Sequence, residues 1–309
     1  MSIIDDKIFP SLGELINSQI RIWPAHARNL EKRFLNTEEE TLGLLEECST
    51  IMLEMISGRI SQYCEDYKWM CRELVREEIY FRKNGRYRND NQQEVINTVY
   101  SDQGYMRRYL NGLFLSQLWW SNHSNSLKFY LEDFLSCFRQ GSNHLEIGPG
   151  HGLLLYLASI YSGVRCLNAW DISQTALEFT DSMLGNLGKE LIIGYQQVDI
   201  TQVDLVDKGF YDSIVLSEIL EHVVAPLTVL KNVYSLLSSK GLVFVNMPAN
   251  SPAPDHLFLV TELQEVVDMV ESVGFVVKKT REFPITGRTL TEAQTYRLTT
   301  SCCVIAEKL

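Results

Sequence analysis

Apolar residues between Glu38 and Lys83 recur at helical spacing, at Leu42, Leu45, Ile51, Met55 and Ile60, then at Tyr67, Met70 and Leu74. No two-residue alternation interrupts them, and Gly58 breaks the run near its middle, so the pattern predicts amphipathic helices. Residues 84–93 (NGRYRNDNQQ) read as a loop, and helical patterning resumes from Glu94 to Leu110 and from Leu113 to Phe138. Residues 1–140 are therefore expected to form an all-helical unit.

At Asn143 the pattern changes. Short apolar runs (HLEI, CLNAWDI, LIIGYQQVDI, YDSIVLSE, GLVFVNMPA, FVVKKTREF and TTSCCVIAEK) now alternate with longer helical stretches. Strands alternating with helices predict βαβ units, which build a parallel sheet with helices on both faces. The last two runs differ: residues 284–297 separate them, and no helix follows the final one. The fold expected is α/β, a doubly wound, mostly parallel sheet over 141–309, preceded by an all-helical N-terminal domain over 1–140.

Composition narrows the class. Of 309 residues, 45% are hydrophobic and 22% charged, with 8 Pro and 18 Gly, which excludes fibrous, low-complexity and largely disordered chains. The densest apolar run, Gly152 to Ser159, is too short to span a bilayer. The start, MSIIDDKIFP, carries two aspartates where a signal peptide needs positive charge, so a soluble, cytoplasmic protein is expected. Seven cysteines without a C-x-x-C pair favour buried, reduced thiols over disulfides or a zinc ribbon. The net charge of −11 is uneven: residues 141–309 carry 11 basic against 19 acidic side chains. That half would repel a phosphate backbone, which disfavours a nucleic-acid partner. Arg72–Arg88 gathers six basic residues, but Glu73, Glu77 and Glu78 offset half of them, as on an exposed helix end.

The sharpest local signal is HLEIGPGHG, residues 144–152. A strand ending at Ile147 runs into Gly148, Gly150 and Gly152 and then a helix, a turn at which backbone can approach a ligand closely. The spacing is not that of the dinucleotide fingerprint. Glu146 would repel a pyrophosphate and attract a cation. Asp171 and Asp199 end the next two strands, so acids stand at three successive strand ends on the ligand-binding edge. Such a site suits a cationic nucleoside with ribose hydroxyls and an adenine amino donor.

With these residues the segment from about 140 onward resembles the class I S-adenosylmethionine-dependent methyltransferases: E-x-G-x-G-x-G, the strand-two and strand-three acids and the L-x-E-x-L-E-H segment at 216–222 stand in family order. The resemblance implies a seven-stranded sheet whose last strand is antiparallel. It also implies that Gly148, Gly150 and Gly152 line the methionine part of the cofactor, that Asp171 binds the ribose and that Asp199 accepts from the adenine amino group. Glu146, Ile172, Ile200 and Ser217 complete the expected cofactor set. The helical N-terminal unit would cap the active site or form a homodimer.

The segment SEILEHV offers Glu218, Glu221 and His222, and PAPDHLF offers His256 after the fifth strand. If a helix begins at this point, the acids converge near its first turn. Mixed carboxylate and imidazole donors suit a divalent metal. The pattern resembles the metal site of small-RNA 3′-end 2′-O-methyltransferases, and its E-x-x-E-H part that of ubiquinone-pathway O-methyltransferases. A metal-bound hydroxyl or enol loses its proton more easily. Hydrogen bonding within the loops is the other reading of these residues. The expected reaction is methylation of a small molecule chelated by that metal, on a 2-oxo acid enol carbon or a catechol-like hydroxyl. The layout is similar to 2-oxo acid C-methyltransferases of peptide natural-product pathways. The alternatives are metal-independent methyl transfer, RNA 2′-O-methylation and a non-catalytic cofactor-binding subunit. The stretch Tyr100–His123 is rich in aromatics and holds Arg107 and Arg108, which suit a carboxylate. Trp119, Trp120 and His123 could wall a pocket, with His123 the first side-chain base if His222 and His256 are structural.

Overall fold

A computed structural model of the protein describes residues 3–95, 102–161, 163–188, 190–202 and 208–309. The chain opens with helices α1 (Pro10–Ile22) and α2 (Ala27–Phe34), followed by α3 (Glu39–Ile56) and α4 (Ile60–Asn84). Pro10 starts α1, and the Glu46 carboxylate of α3 accepts from the Ser11 and Leu12 amides at 2.9 and 2.8 Å, capping donors a helix start leaves unpaired. Ser57 and Gly58 are both left-handed, which turns the chain from α3 into α4.

A one-turn helix α5 (Gln92–Val95) precedes α6 (Gln103–Trp119) and α7 (Ser121–Phe129). The helix expected over 94–110 thus lies partly outside the described residues, at 96–101, as does Tyr100. The break expected at Asn111-Gly112 is absent, and α6 runs through it to Trp119. Those two residues are where α6 meets α4: Asn111 Nδ2 donates to buried Asp66 at 2.9 Å, and a Cβ on Gly112 would lie 2.8 Å from Met70 Sδ. The actual break falls at Trp120, and beyond Phe129 a π-helical turn (Tyr130–Phe134) and a 3-10 turn (Leu135–Cys137) replace the expected continuous helix.

The sheet follows as β1 (Asn143–Ile147), β2 (Cys166–Asp171), β3 (Ile193–Gln197), β4 (Tyr211–Ser217), β5 (Leu237–Ala249), β6 (Phe275–Pro284) and β7 (Thr300–Lys308). Its order is β3-β2-β1-β4-β5-β7-β6, with β7 antiparallel to both neighbours, as the resemblance implied. Helices α8 (Leu153–Tyr161), α9 (Gln174–Gly185), α10 (Pro226–Leu236) and α11 (Leu263–Ser272) connect strands, and α12 (Leu290–Thr295) lies between β6 and β7. The helical region shares a core with the sheet: Phe129, Tyr130 and Phe134 all pack on Phe244 of β5, with ring centroids 5.3 to 6.2 Å apart. Among the described residues no helix is long and apolar enough to cross a membrane. The cysteines are free thiols, but not all are buried as expected: Cys137 is exposed, and Cys71 and Cys166 are half-buried.

Candidate functional site

A cavity of about 500 Å³ opens where the parallel strands end, floored by those strand ends and roofed by α6 and α7. All the sequence-selected cofactor residues except Gly152 line it: Glu146, Gly148, Gly150, Asp171, Ile172, Asp199, Ile200 and Ser217. Gly148 (φ 66°) and Gly150 (φ 52°) are left-handed, a backbone conformation that favours glycine, and a Cβ on Gly148 would lie 2.1 Å from Ile219 Cδ1, whose side-chain tip would have to move. Gly152, also left-handed, packs behind the turn against Thr180 and Leu184.

Glu146 is 3% exposed, and its Oε2 has no hydrogen-bond partner among the described residues. Burial pushes its carboxyl well above the usual carboxylate range. A buried, unpaired acid at the glycine turn fits the sulfonium cofactor, whose positive charge would restore the ionised form. Burial likewise raises Asp171 to about 6, although the Ser173 amide donates to its Oδ1 at 2.8 Å. Asp199 lies just beyond β3, which is shorter than the apolar run suggested, and its two oxygens accept from Thr201 and Gln202.

No helix begins at Glu218. The residue is left-handed (φ 57°), a single 3-10 turn spans Leu220–His222, and α10 starts only at Pro226. The Glu218 amide donates to Asn246 O at 2.8 Å and Asn246 Nδ2 donates back to Glu218 Oε1 at 3.0 Å, so Asn246 fixes both ends of a strained residue. Glu218, expected as a fourth ligand, is turned to Asn246. The donor atoms of Glu221, His222 and His256 converge instead, all within 4.8 Å of one another. Burial raises Glu218 to about 8, with Asp255 adding to the shift and Asn246 opposing it. Glu221 is fully buried, with no hydrogen-bond partner on either oxygen among the described residues, and burial and then the nearby Glu218 charge hold its carboxyl well above the normal range.

The two imidazoles are oriented alike. His256 Nδ1 donates to Ser251 O at 2.6 Å, which leaves its Nε2 with a lone pair, and His222 Nδ1 donates to Asp255 O at 3.1 Å. The rings stand 4.8 Å apart and nearly perpendicular, and His222 Nε2 lies 3.7 Å from Glu221 Oε1. Burial lowers His256 to about 4, so it is neutral at physiological pH. A carboxylate and two imidazoles, each imidazole held at Nδ1 by a main-chain carbonyl, form a set that fits a divalent metal.

His123 also lines the cavity. The Ser116 hydroxyl gives its one proton to Leu113 O at 2.6 Å, so His123 Nδ1 must donate to Ser116 Oγ at 2.9 Å, and Nε2 keeps a lone pair. Burial lowers His123 to about 3. His151, within the glycine turn, has the opposite tautomer: its Nδ1 accepts from the Leu153 amide at 3.2 Å, so Nε2 carries the proton. Arg107 lines the cavity, whereas Arg108 binds Asp66 at 2.9 Å and stacks on Trp69. Trp119 packs on Phe34, and Trp120 Nε1 donates to Tyr67, so neither tryptophan lines the cavity. Sequence reasoning passed over His151, Asn246 and Asp255. His151 and Asp255 were visible inside the quoted motifs, but nothing in the sequence marks Asn246.

No curated protein matches the chain. Solved structures similar to it include the (4+2)-cyclase SpnF (11% identity over 60% of this chain and 81% of that one, TM-score 0.49). A putative methyltransferase from Bacillus halodurans is similar at 13% identity over 60% of this chain and 99% of that one, TM-score 0.49. An S-adenosylmethionine-dependent methyltransferase from Aquifex aeolicus is similar at 14% identity over 67% and 99%, TM-score 0.49. The methyltransferase-domain family matches residues 119–277, just over half of the chain. The chain therefore belongs to that family and is an S-adenosylmethionine-dependent methyltransferase, in keeping with the unpaired acid beside its glycine turn.

Proposed function

We propose that this methyltransferase acts on a small molecule held against a divalent metal by Glu221, His222 and His256. The observation that carries the reading is the convergence of the ligand atoms of Glu221, His222 and His256 within 4.8 Å of one another, with Glu221 fully buried and without a hydrogen-bond partner among the described residues. A buried carboxyl group without a hydrogen-bond partner is costly in its ionised form unless a cation neutralises it. A divalent cation, when bound, supplies a Lewis acid that draws two adjacent acceptor oxygens together and eases loss of the acceptor proton. This favours a 2-oxo acid, methylated at its enol carbon, or a catechol-like hydroxyl. The enclosing α6 and α7 support a small acceptor over a polymer.

In this reading Glu146 offsets the sulfonium charge, and Gly148 and Gly150 let the main chain close on the methionine part. Asp171 accepts from the ribose hydroxyls, and Asp199 retains a lone pair for the adenine amino group. Asn246 holds Glu218 and Ser217 at the end of β4. The helical roof excludes water and aligns the acceptor with the methyl group, the larger share of such catalysis. The tautomer of His123 favours a second reading, metal-independent transfer in which His123 Nε2 takes the acceptor proton. Chelator treatment and His256→Ala together separate the two. Turnover is lost in both under the metal reading, with S-adenosylmethionine binding intact. Turnover that survives both and is lost in His123→Ala supports the second.

A further inference from the structure

The loop after α4 reaches across to the candidate metal centre. Tyr87, 4% exposed, accepts from the Ser251 amide at 3.1 Å through its hydroxyl, and its ring meets the His256 ring edge-on at 5.7 Å. Two residues on, Asn89 Nδ2 donates to Pro254 O at 2.7 Å. Ser251 is the link, because its amide is held by Tyr87 while its carbonyl accepts from His256 Nδ1. On the other side, Leu257 and Phe258 donate to Glu221 O at 2.7 and 3.0 Å. The 251–258 turn is thus fixed to Glu221 at one end and to the helical region at the other.

Resting on the metal reading above, we propose that Tyr87 is a positioning residue: its hydroxyl and ring hold Ser251 and His256 so that His256 Nε2 meets Glu221 and His222. The helical region then completes the metal centre without supplying a ligand. Outer-shell partners of ligating histidines are worth about 10- to 100-fold in metal affinity. Tyr87 acts one hydrogen bond further out, so Tyr87→Phe, which keeps the ring, should weaken binding about 3- to 10-fold, and Tyr87→Ala by about 10-fold or more.

The test uses the full-length protein and Co(II), followed by its visible absorption, with calorimetry of S-adenosylmethionine binding as the check on folding. Arg82→Ala is the control, since Arg82 also ties α4 to the later chain, through Tyr296 O at 2.7 Å, but not at this turn. Weaker Co(II) binding and an altered spectrum in Tyr87→Phe, with Arg82→Ala like wild type, support the proposal. Wild-type affinity and spectrum in Tyr87→Phe overturn it. If wild type binds no Co(II), the metal reading falls, and the positioning proposal is then decided by nitrogen NMR of labelled histidines. A fixed Nδ1–H tautomer of His256 that becomes mixed in Tyr87→Phe supports it, and identical ring signals in the two proteins overturn it.

Discussion

At the proposed cofactor end of the cavity, Glu146, Gly148 and Gly150 sit on one turn, and Asp171 and Asp199 follow at the next two strand ends. At the proposed metal site, Glu221 and His222 meet His256 from another strand end, and Tyr87 packs on His256 from a loop 164 residues before its partner Ser251. The first end is made mainly by backbone geometry that neighbouring residues dictate, and the second by side chains that only the finished fold brings together. The two ends should therefore fail independently. Glu221→Ala should weaken divalent-metal binding by about 100-fold or more, since it removes a ligand and not merely a supporting bond, while S-adenosylmethionine affinity changes little. Asp171→Ala should do the reverse, costing about 1.5–3 kcal/mol or roughly 10- to 100-fold in cofactor affinity by calorimetry. Joint loss of both bindings in either variant would dissolve the distinction.

The same contrast explains what the sequence made legible. The glycine turn, its acids and the strand alternation are local patterns, and the sheet followed from them. Asn111-Gly112 misled because a glycine at a close helix contact looks like a helix break, and only Met70, distant in the chain, shows the difference. The place of Glu218 depended on whether a helix began there, and Asn246 instead holds it as a left-handed residue, which no local pattern shows. Tyr87 was invisible because a loop has no periodicity and its role depends on docking. Gly112→Ala should destabilise the protein by about 1–3 kcal/mol through overpacking of α4 against α6, read as a lower urea midpoint.

Protonation sharpens the comparison at the cofactor end. In the proposed cofactor site Asp171, raised to about 6 by burial, accepts most strongly from ribose hydroxyls when it is ionised. S-adenosylmethionine affinity should therefore fall as pH drops through 6, by about 10-fold at pH 5 for one proton, and Asp171→Asn should flatten that dependence. Burial raises the Glu146 carboxyl in the free protein, and a bound cation would favour its ionised form. Cofactor binding should then be accompanied by proton release, seen by calorimetry in two buffers of different ionisation enthalpy, and Glu146→Gln should reduce that release.

The most direct measurement is elemental mass spectrometry of the purified full-length protein beside Glu221→Ala, each first shown by calorimetry to bind S-adenosylmethionine. One divalent ion per wild-type chain and none in the variant is the predicted result. Equal metal content in the two proteins, or none in a wild type that still turns over after chelation, would contradict a metal-centred acceptor site.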